Sequence, residues 1–407
     1  MAGRMGRSQA ITTFGVGSIY ELRTFRQGKA TLHSVMVAGL DAWERFKSDM
    51  QVVREDVLKK ILKVDYFLAP PIEPDYPSEE SPALPAVRFP GVLYCDRCGR
   101  VGRVGQEFTD PQFSGPRCAD ASCTGRAIPF RFVVACYDKT GGDPHPGHVE
   151  DFPYEYWAHR GGQRCDMPAV YLTGRTDASG LSGLILKCKS CAAPPQSMES
   201  IFGEGALAGL HCRGHRPWLF DHEAGCTRPI RVLQRGASNT YFPVTVSALS
   251  IPPYSDRLFS LVEKALNQPL LDFIRGGQLQ ESAIVGLLRN VQGLNDPTVF
   301  TDEQVLEAAR IIAGVSEISV PAGEAEQRDR ERNALVSGRP EIGPEDEFVA
   351  VPVGGLIEFP LLADYFDRIV RVHRLREVRA LRGFQRVEPN FSGDAFSIPV
   401  APLSSAN

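Results

Sequence analysis

Tyr94-Cys95-Asp96-Arg97-Cys98-Gly99 is the stretch from which the fold class is read. A Cys-x2-Cys turn with an aromatic residue before it and a glycine after it sets two thiolates side by side on one knuckle. A second pair, Cys118-x4-Cys123, follows twenty residues later. Four thiolates so spaced suit the closed tetrahedral site of a structural zinc ion, as in a zinc ribbon. Four ordinary buried cysteines are the alternative.

Working outward, Cys188-x2-Cys191 is another knuckle. Cys212 and Cys226 are the cysteines downstream of it, with His211, His215 and His222 as competitors. A four-thiolate site is expected there. A thioredoxin-type redox pair would need a βαβ setting, which the flanks do not show. Cys136 and Cys165 remain, with His148 and His159 between them. These four read either as a third zinc site of two sulfurs and two imidazoles, or as core cysteines with surface histidines. Each expected site is closed by four protein ligands, whereas a catalytic zinc keeps a position open for water. The metal is therefore expected to stabilise folding.

The 407 residues are 43% hydrophobic, enough for several cores, and the formal net charge is −4. A mildly acidic chain has no global attraction for nucleic acid, so any such contact must be a local basic patch. The basic start Met1–Arg7 is followed by no apolar run, and no segment reaches the length of a membrane span. A cytoplasmic protein is expected, whose ten cysteines are ligands or buried thiols rather than disulfides.

Six segments are expected along the chain. Residues 1–85 hold an α/β segment and a linker interrupted by Pro70, Pro71, Pro74, Pro77, Pro82 and Pro85. In that segment a strand and glycine turn over Ile11–Ile19 and a helix near Asp41–Leu62 are expected. Residues 86–135 form the first zinc ribbon and 136–230 a second zinc-binding module. Residues 231–322 begin with an alternating strand at Tyr241–Ile251. Helices are then predicted over Ser255–Arg275, Glu281–Val291 and Thr301–Ala313, the last opened by a capping box of Thr301 and Gln304. Residues 323–346 are a charged linker read as an exposed helix and a loop, and 347–407 a strand-rich, arginine-rich segment. The fold class is α+β, a multidomain mixed scaffold with inserted zinc-ribbon modules.

No phosphate-binding Gly-x4-Gly-Lys-Ser/Thr loop, nucleophile elbow or His-Glu-x2-His pair occurs. Gly203, Gly205 and Gly209 follow no strand pattern and read as a turn, not a dinucleotide loop. His145, His148, Glu150, Asp151 and His159 could instead serve a metal-dependent nuclease, the alternative function. The most basic stretch is Asp367–Arg386, with Arg368, Arg371, Arg374, Arg376, Arg379, Arg382 and Arg386. Seven guanidiniums in twenty residues can track a phosphate backbone, pair with a protein partner, or form a solvated face. Small residues in Arg235–Asn239 make a tight loop or let the backbone approach a partner or a phosphate.

Four stretches carry a resemblance to a known family: Arg7–Ile19 (RSQAITTFGVGSI), Gly147–Pro153 (GHVEDFP), Arg231–Pro243 (RVLQRGASNTYFP) with Ser247–Pro252, and Arg374–Phe384 (RLREVRALRGF). They resemble DrmB, the helicase-associated subunit of DISARM anti-phage defence systems. The resemblance implies a non-catalytic partner of a DrmA-like, helicase-like ATPase. It also implies engagement of DNA that is single-stranded or has an overhang, and matches the cysteine knuckles to the family's own. Members of the family continue into a C-terminal region with a further cysteine cluster, whereas no cysteine follows Cys226. A truncated or split gene is the corresponding expectation.

Overall fold

The structure is a computed structural model. It describes residues 6–26, 29–53, 55–71, 83–110, 115–137, 147–160, 162–174, 180–251, 257–316, 323–339, 341, 348–353, 360–362 and 364–388. Most of the proline-rich linker and His145 lie outside them. Helices and strands are mixed and the sheets are small, an α+β architecture. The chain forms two compact units, Met1–Gln51 with Leu68–Thr245 and Leu381–Asn407, and Val52–Phe67 with Val246–Ala380.

The first unit is built from antiparallel three-stranded sheets. In one of them Phe132–Cys136 lies between Val149–Asp151 and Ile230–Gln234. This central strand is apolar at every position because alternate side chains serve two cores. Phe132 and Val134 join Phe152, Trp157 and Leu186 on one side, while Val133 and Ala135 join Trp218 and Phe384 on the other. Each large side chain so buried contributes about 1.5–3 kcal/mol.

The N-terminal stretch differs from its expectation. Residues 7–17 are turns, and the strand Ile19–Arg26 begins only after Gly17. Gly17 has φ +83°, and a Cβ there would lie 2.4 Å from the Phe384 ring, so the expected glycine turn is present, while the strand expected before it is replaced by turns. The helix expected near Asp41–Leu62 is likewise two pieces. A 3-10 helix, Leu40–Asp49, ends where Met50 turns extended, and an α-helix follows at Asp56–Leu62.

The second unit packs Arg257–Ala265, Gln268–Arg275, Glu281–Leu288 and Asp302–Ala313 around Val262, Ile274, Leu288 and Val305. The helix expected over Ser255–Arg275 is split because Asn267 caps a new start, its side chain accepting from the Leu270 amide, with Pro269 in the first turn. Thr301 and Gln304 make both bonds of the capping box. The charged helix Glu324–Ser337 buries Gln327 and Glu331, and the Glu331 carboxylate accepts from the Leu249 amide.

Candidate metal centres

The first cluster is Cys95, Cys98, Cys118 and Cys123, whose sulfurs all lie within 4.8 Å of one another. Cys95 ends the strand Val92–Cys95, and the chain turns at once, with the Gly99 amide donating to the Cys95 carbonyl. Gly99 has φ +76°, and a Cβ there would lie 2.1 Å from the Leu172 carbonyl oxygen. Glycine after the knuckle is therefore required both by the turn and by the neighbouring chain. Cys95 and Cys123 stand 3.6 Å apart, and Cys98 and Cys118 3.8 Å. Burial pushes the Cys95, Cys98 and Cys118 thiols up, while the Gly125 amide draws Cys123 down.

The second cluster is Cys136, His148, Cys212 and Cys226, and the third is His159, Cys165, Cys188 and Cys191, each again within 4.8 Å. The eight side chains are those named from the sequence, but the partition is different. Cys188 and Cys191 do not meet Cys212 and Cys226, and Cys136 and His148 do not meet His159 and Cys165. Strand pairing explains the exchange. Cys188 lies opposite Val170 in an antiparallel pair, which brings the preceding loop with Cys165 and His159 beside the knuckle. Cys136 lies opposite Ile230, so the loop that leads into Ile230–Gln234 delivers Cys226, and Cys212 with it. Neither pairing is visible in the spacing of the cysteines.

Both histidines are buried, His148 fully and His159 to 3% exposure. Each turns one ring nitrogen to a sulfur and the other to an acceptor. His148 directs Nδ1 at Cys212 Sγ (3.3 Å), and its Nε2 donates to Glu223 (3.1 Å). His159 directs Nε2 at Cys165 Sγ (3.4 Å), and its Nδ1 donates to the Glu155 carbonyl (2.7 Å). An acceptor behind the ring fixes the tautomer that leaves a lone pair toward the sulfurs, as behind metal-bound imidazoles. Surface histidines beside core cysteines would show neither the burial nor this orientation.

Burial and neighbouring groups perturb several of these thiols. The Cys136 thiol, then burial, pushes Cys212 far up. Burial and the neighbouring Cys188 and Cys191 raise Cys165 to about 11. Burial acts upward on Cys188 too, but the Ser190 and Ala169 amides and the other thiols bring it down to about 7. One set of four sulfurs and two sets of three sulfurs with one imidazole nitrogen, closed and mostly buried, suit a tetrahedral ion of borderline softness with no open position. Among the described residues these three are the groups able to hold a metal. His211, His215 and His222 join none of them. His211 donates to the Thr227 carbonyl, and His215 lies opposite His222 on a short hairpin.

The carboxylates of the nuclease alternative line a cleft of about 590 Å³ with Arg103, Tyr154, His159 and Arg213. They are engaged there. Glu150 accepts from the Arg213 amide (2.7 Å) and guanidinium (2.6 Å), and Asp151 from the Val92 amide (3.1 Å) while pairing with Arg103 (2.6 Å).

The arginines of 368–386 fall in both units, Arg382 and Arg386 in the first and the others in the second. Arg368, Arg371, Arg379 and Arg382 are exposed, and Arg374 and Arg376 are half-buried. Arg374 pairs with Glu341 and Arg379 with Glu377. Arg386 is 0% exposed, so the expectation that it contacts nucleic acid is corrected. Sequence reasoning passed over Tyr365 and Phe366, which are 79% and 53% exposed just ahead of Arg368. Two adjacent aromatics before a basic run were the available signal.

Fold and clusters together define a cysteine-rich α+β protein with three closed four-ligand groups able to hold metal ions. Residues 6–242 match the family described as "Domain of unknown function (DUF8724)", and the chain belongs to that family. It is also 28% identical over 343 residues to the DISARM protein DrmB of Bacillus paralicheniformis, across 81% of this chain and 55% of that protein. The chain thus spans about half the length of this curated relative.

Proposed function

We propose that this chain is a non-catalytic, zinc-dependent subunit of a DISARM-type anti-phage assembly, acting in the cytoplasm beside a helicase-like ATPase and helping to engage DNA. The similarity to a DISARM DrmB protein, extending over 81% of the chain, carries this reading. The zinc assignment rests on the donor chemistry. Sets of four sulfurs, or of three sulfurs and an imidazole, without a vacant position serve structural zinc, which orders loops that a small core could not hold. Zinc would be held by Cys95, Cys98, Cys118 and Cys123, by Cys136, His148, Cys212 and Cys226, and by His159, Cys165, Cys188 and Cys191. The chain lacks a phosphate loop, so ATP hydrolysis belongs to the partner. No described helix is long and apolar enough to cross a membrane.

For DNA, the supporting feature lies in the second unit, where the exposed arginines Arg368, Arg371 and Arg379 accompany the exposed rings of Tyr365 and Phe366. Guanidiniums neutralise phosphates and aromatic faces stack on unpaired bases. The test is co-purification of the tagged chain with the products of its neighbouring genes, followed by plaque counts. The ATPase is expected to co-purify with the tagged chain, and deleting this gene should abolish phage protection. Full protection without it would overturn the proposal. Substituting Arg368, Arg371 and Arg379 by alanine should weaken DNA binding by the assembled complex and flatten its salt dependence, read by anisotropy at several salt concentrations.

A further inference from the structure

Arg386 is a fully buried guanidinium in the first unit, and its surroundings are unusual for a charge at that depth. It donates from Nε to the Gly147 carbonyl (3.1 Å), from one terminal nitrogen to Gly17 (2.5 Å) and from the other to Thr240. The plane sits near the rings of Phe384 (4.8 Å) and Trp218 (5.3 Å). Carbonyl dipoles and ring faces partly replace its hydration. Among the described residues no carboxylate touches it, yet an isolated buried cation requires an anion. The nearby phenol of Tyr241 is neutral, since burial raises its pKa. Desolvation by full burial draws Arg386 itself down to about 9.

The second cluster adjoins this tie through the backbone. Gly147, which accepts from Nε, immediately precedes His148, and the His148 carbonyl in turn accepts from the Cys136 amide (3.2 Å). A divalent ion held by three thiolates and one neutral imidazole retains one net negative charge. We propose that Arg386 is the internal counter-charge of the Cys136/His148/Cys212/Cys226 centre, and that ion binding there and the tie of Gly17, Gly147 and Thr240 to Arg386 are one linked event. This rests on the reading of that cluster as a metal centre. Linkage is reciprocal: if the ion favours the buried guanidinium, the guanidinium favours the ion by the same factor. Without the ion, the segment ending at Arg386 loosens.

The test uses the full chain, with metal counted by mass spectrometry and ion release timed in a chromophoric chelator. Wild type should release three ions, and Cys226→Ser should remove one kinetic phase, which identifies the second centre. In Arg386→Met that phase should accelerate at least about tenfold, with the other two unchanged. Arg386→Lys, which keeps the charge but loses the planar fork, should restore much of the wild-type rate. A packing role alone would leave Lys no better than Met, and that result overturns the proposal. So does an unchanged phase in Met. A wild type with no phase removed by Cys226→Ser sinks the metal reading itself, and this inference with it.

Should Arg386→Met fail to fold, hydrogen exchange on wild type and Cys226→Ser provides the reverse measurement. Amides around Gly17, Gly147 and Thr240 should lose protection in Cys226→Ser but not in Cys98→Ser, which strikes the first centre. Equal protection in both variants overturns the linkage.

Discussion

His148 shows how a single residue is turned from a side chain into a ligand. Its Nε2 is committed to Glu223, itself beside Arg216, so the ring can only offer Nδ1 to Cys212. Removing such an acceptor typically weakens metal binding about 10–100-fold. Glu223→Ala is therefore expected to lower the affinity of the second centre by about tenfold and leave the other two unchanged, as read by chelator competition. Protons compete at the same atoms. Cys165 at about 11 and Cys212, which is also raised, hold protons at neutral pH when no ion is present, so binding must expel them. Affinity then rises with pH through the neutral range by about tenfold per unit for each proton displaced. A titration repeated at about pH 6.5 and 7.5 should show the second and third centres each gaining about one order of magnitude. A change below about threefold would mean the thiols are already ionised.

At the scale of elements, the partition of ligands is decided by which strands pair. Val170 opposite Cys188 makes the third centre, and Cys136 opposite Ile230 makes the second. This gives a direct test by counting. Cys191→Ser with Cys226→Ser should cost two ions, because the two residues serve different centres, whereas Cys165→Ser with Cys191→Ser should cost one. The sequence-based grouping, with Cys191 and Cys226 in one site, would reverse these counts. What was legible from sequence was local: the Cys95/Cys98 knuckle, its required Gly99, and the Thr301/Gln304 box depend on residues close together in the chain. Thr301→Ala is expected to cost the second unit about 1 kcal/mol by denaturant unfolding. Strand partners far apart in the chain leave no signature in cysteine spacing, so spacing alone groups the same eight side chains differently. Arg386 failed for a related reason. Its fate is set by Gly17, Gly147 and Thr240, far from it in the chain, and not by the arginines around it.

For the whole molecule, the decisive fact is that the three clusters fall in one unit. Every cysteine lies between Cys95 and Cys226, all within the first unit, while the second is held by apolar packing around Val262, Leu288 and Val305. With the clusters read as zinc centres, the first unit depends on metal for its folding free energy and the second does not. Calorimetry of the full chain is expected to show two transitions. A strong chelator should lower the first unit's melting temperature by more than about ten degrees, since one kcal/mol shifts a domain of this size by about 2–4 °C and structural zinc contributes several. The transition of the helical unit should stay where it was. If the two transitions moved together, the metal would be stabilising the helical packing as well, and the division into a metal-dependent and a metal-independent unit would fail. Thr301→Ala supplies the internal control, because it should shift the chelator-insensitive transition alone.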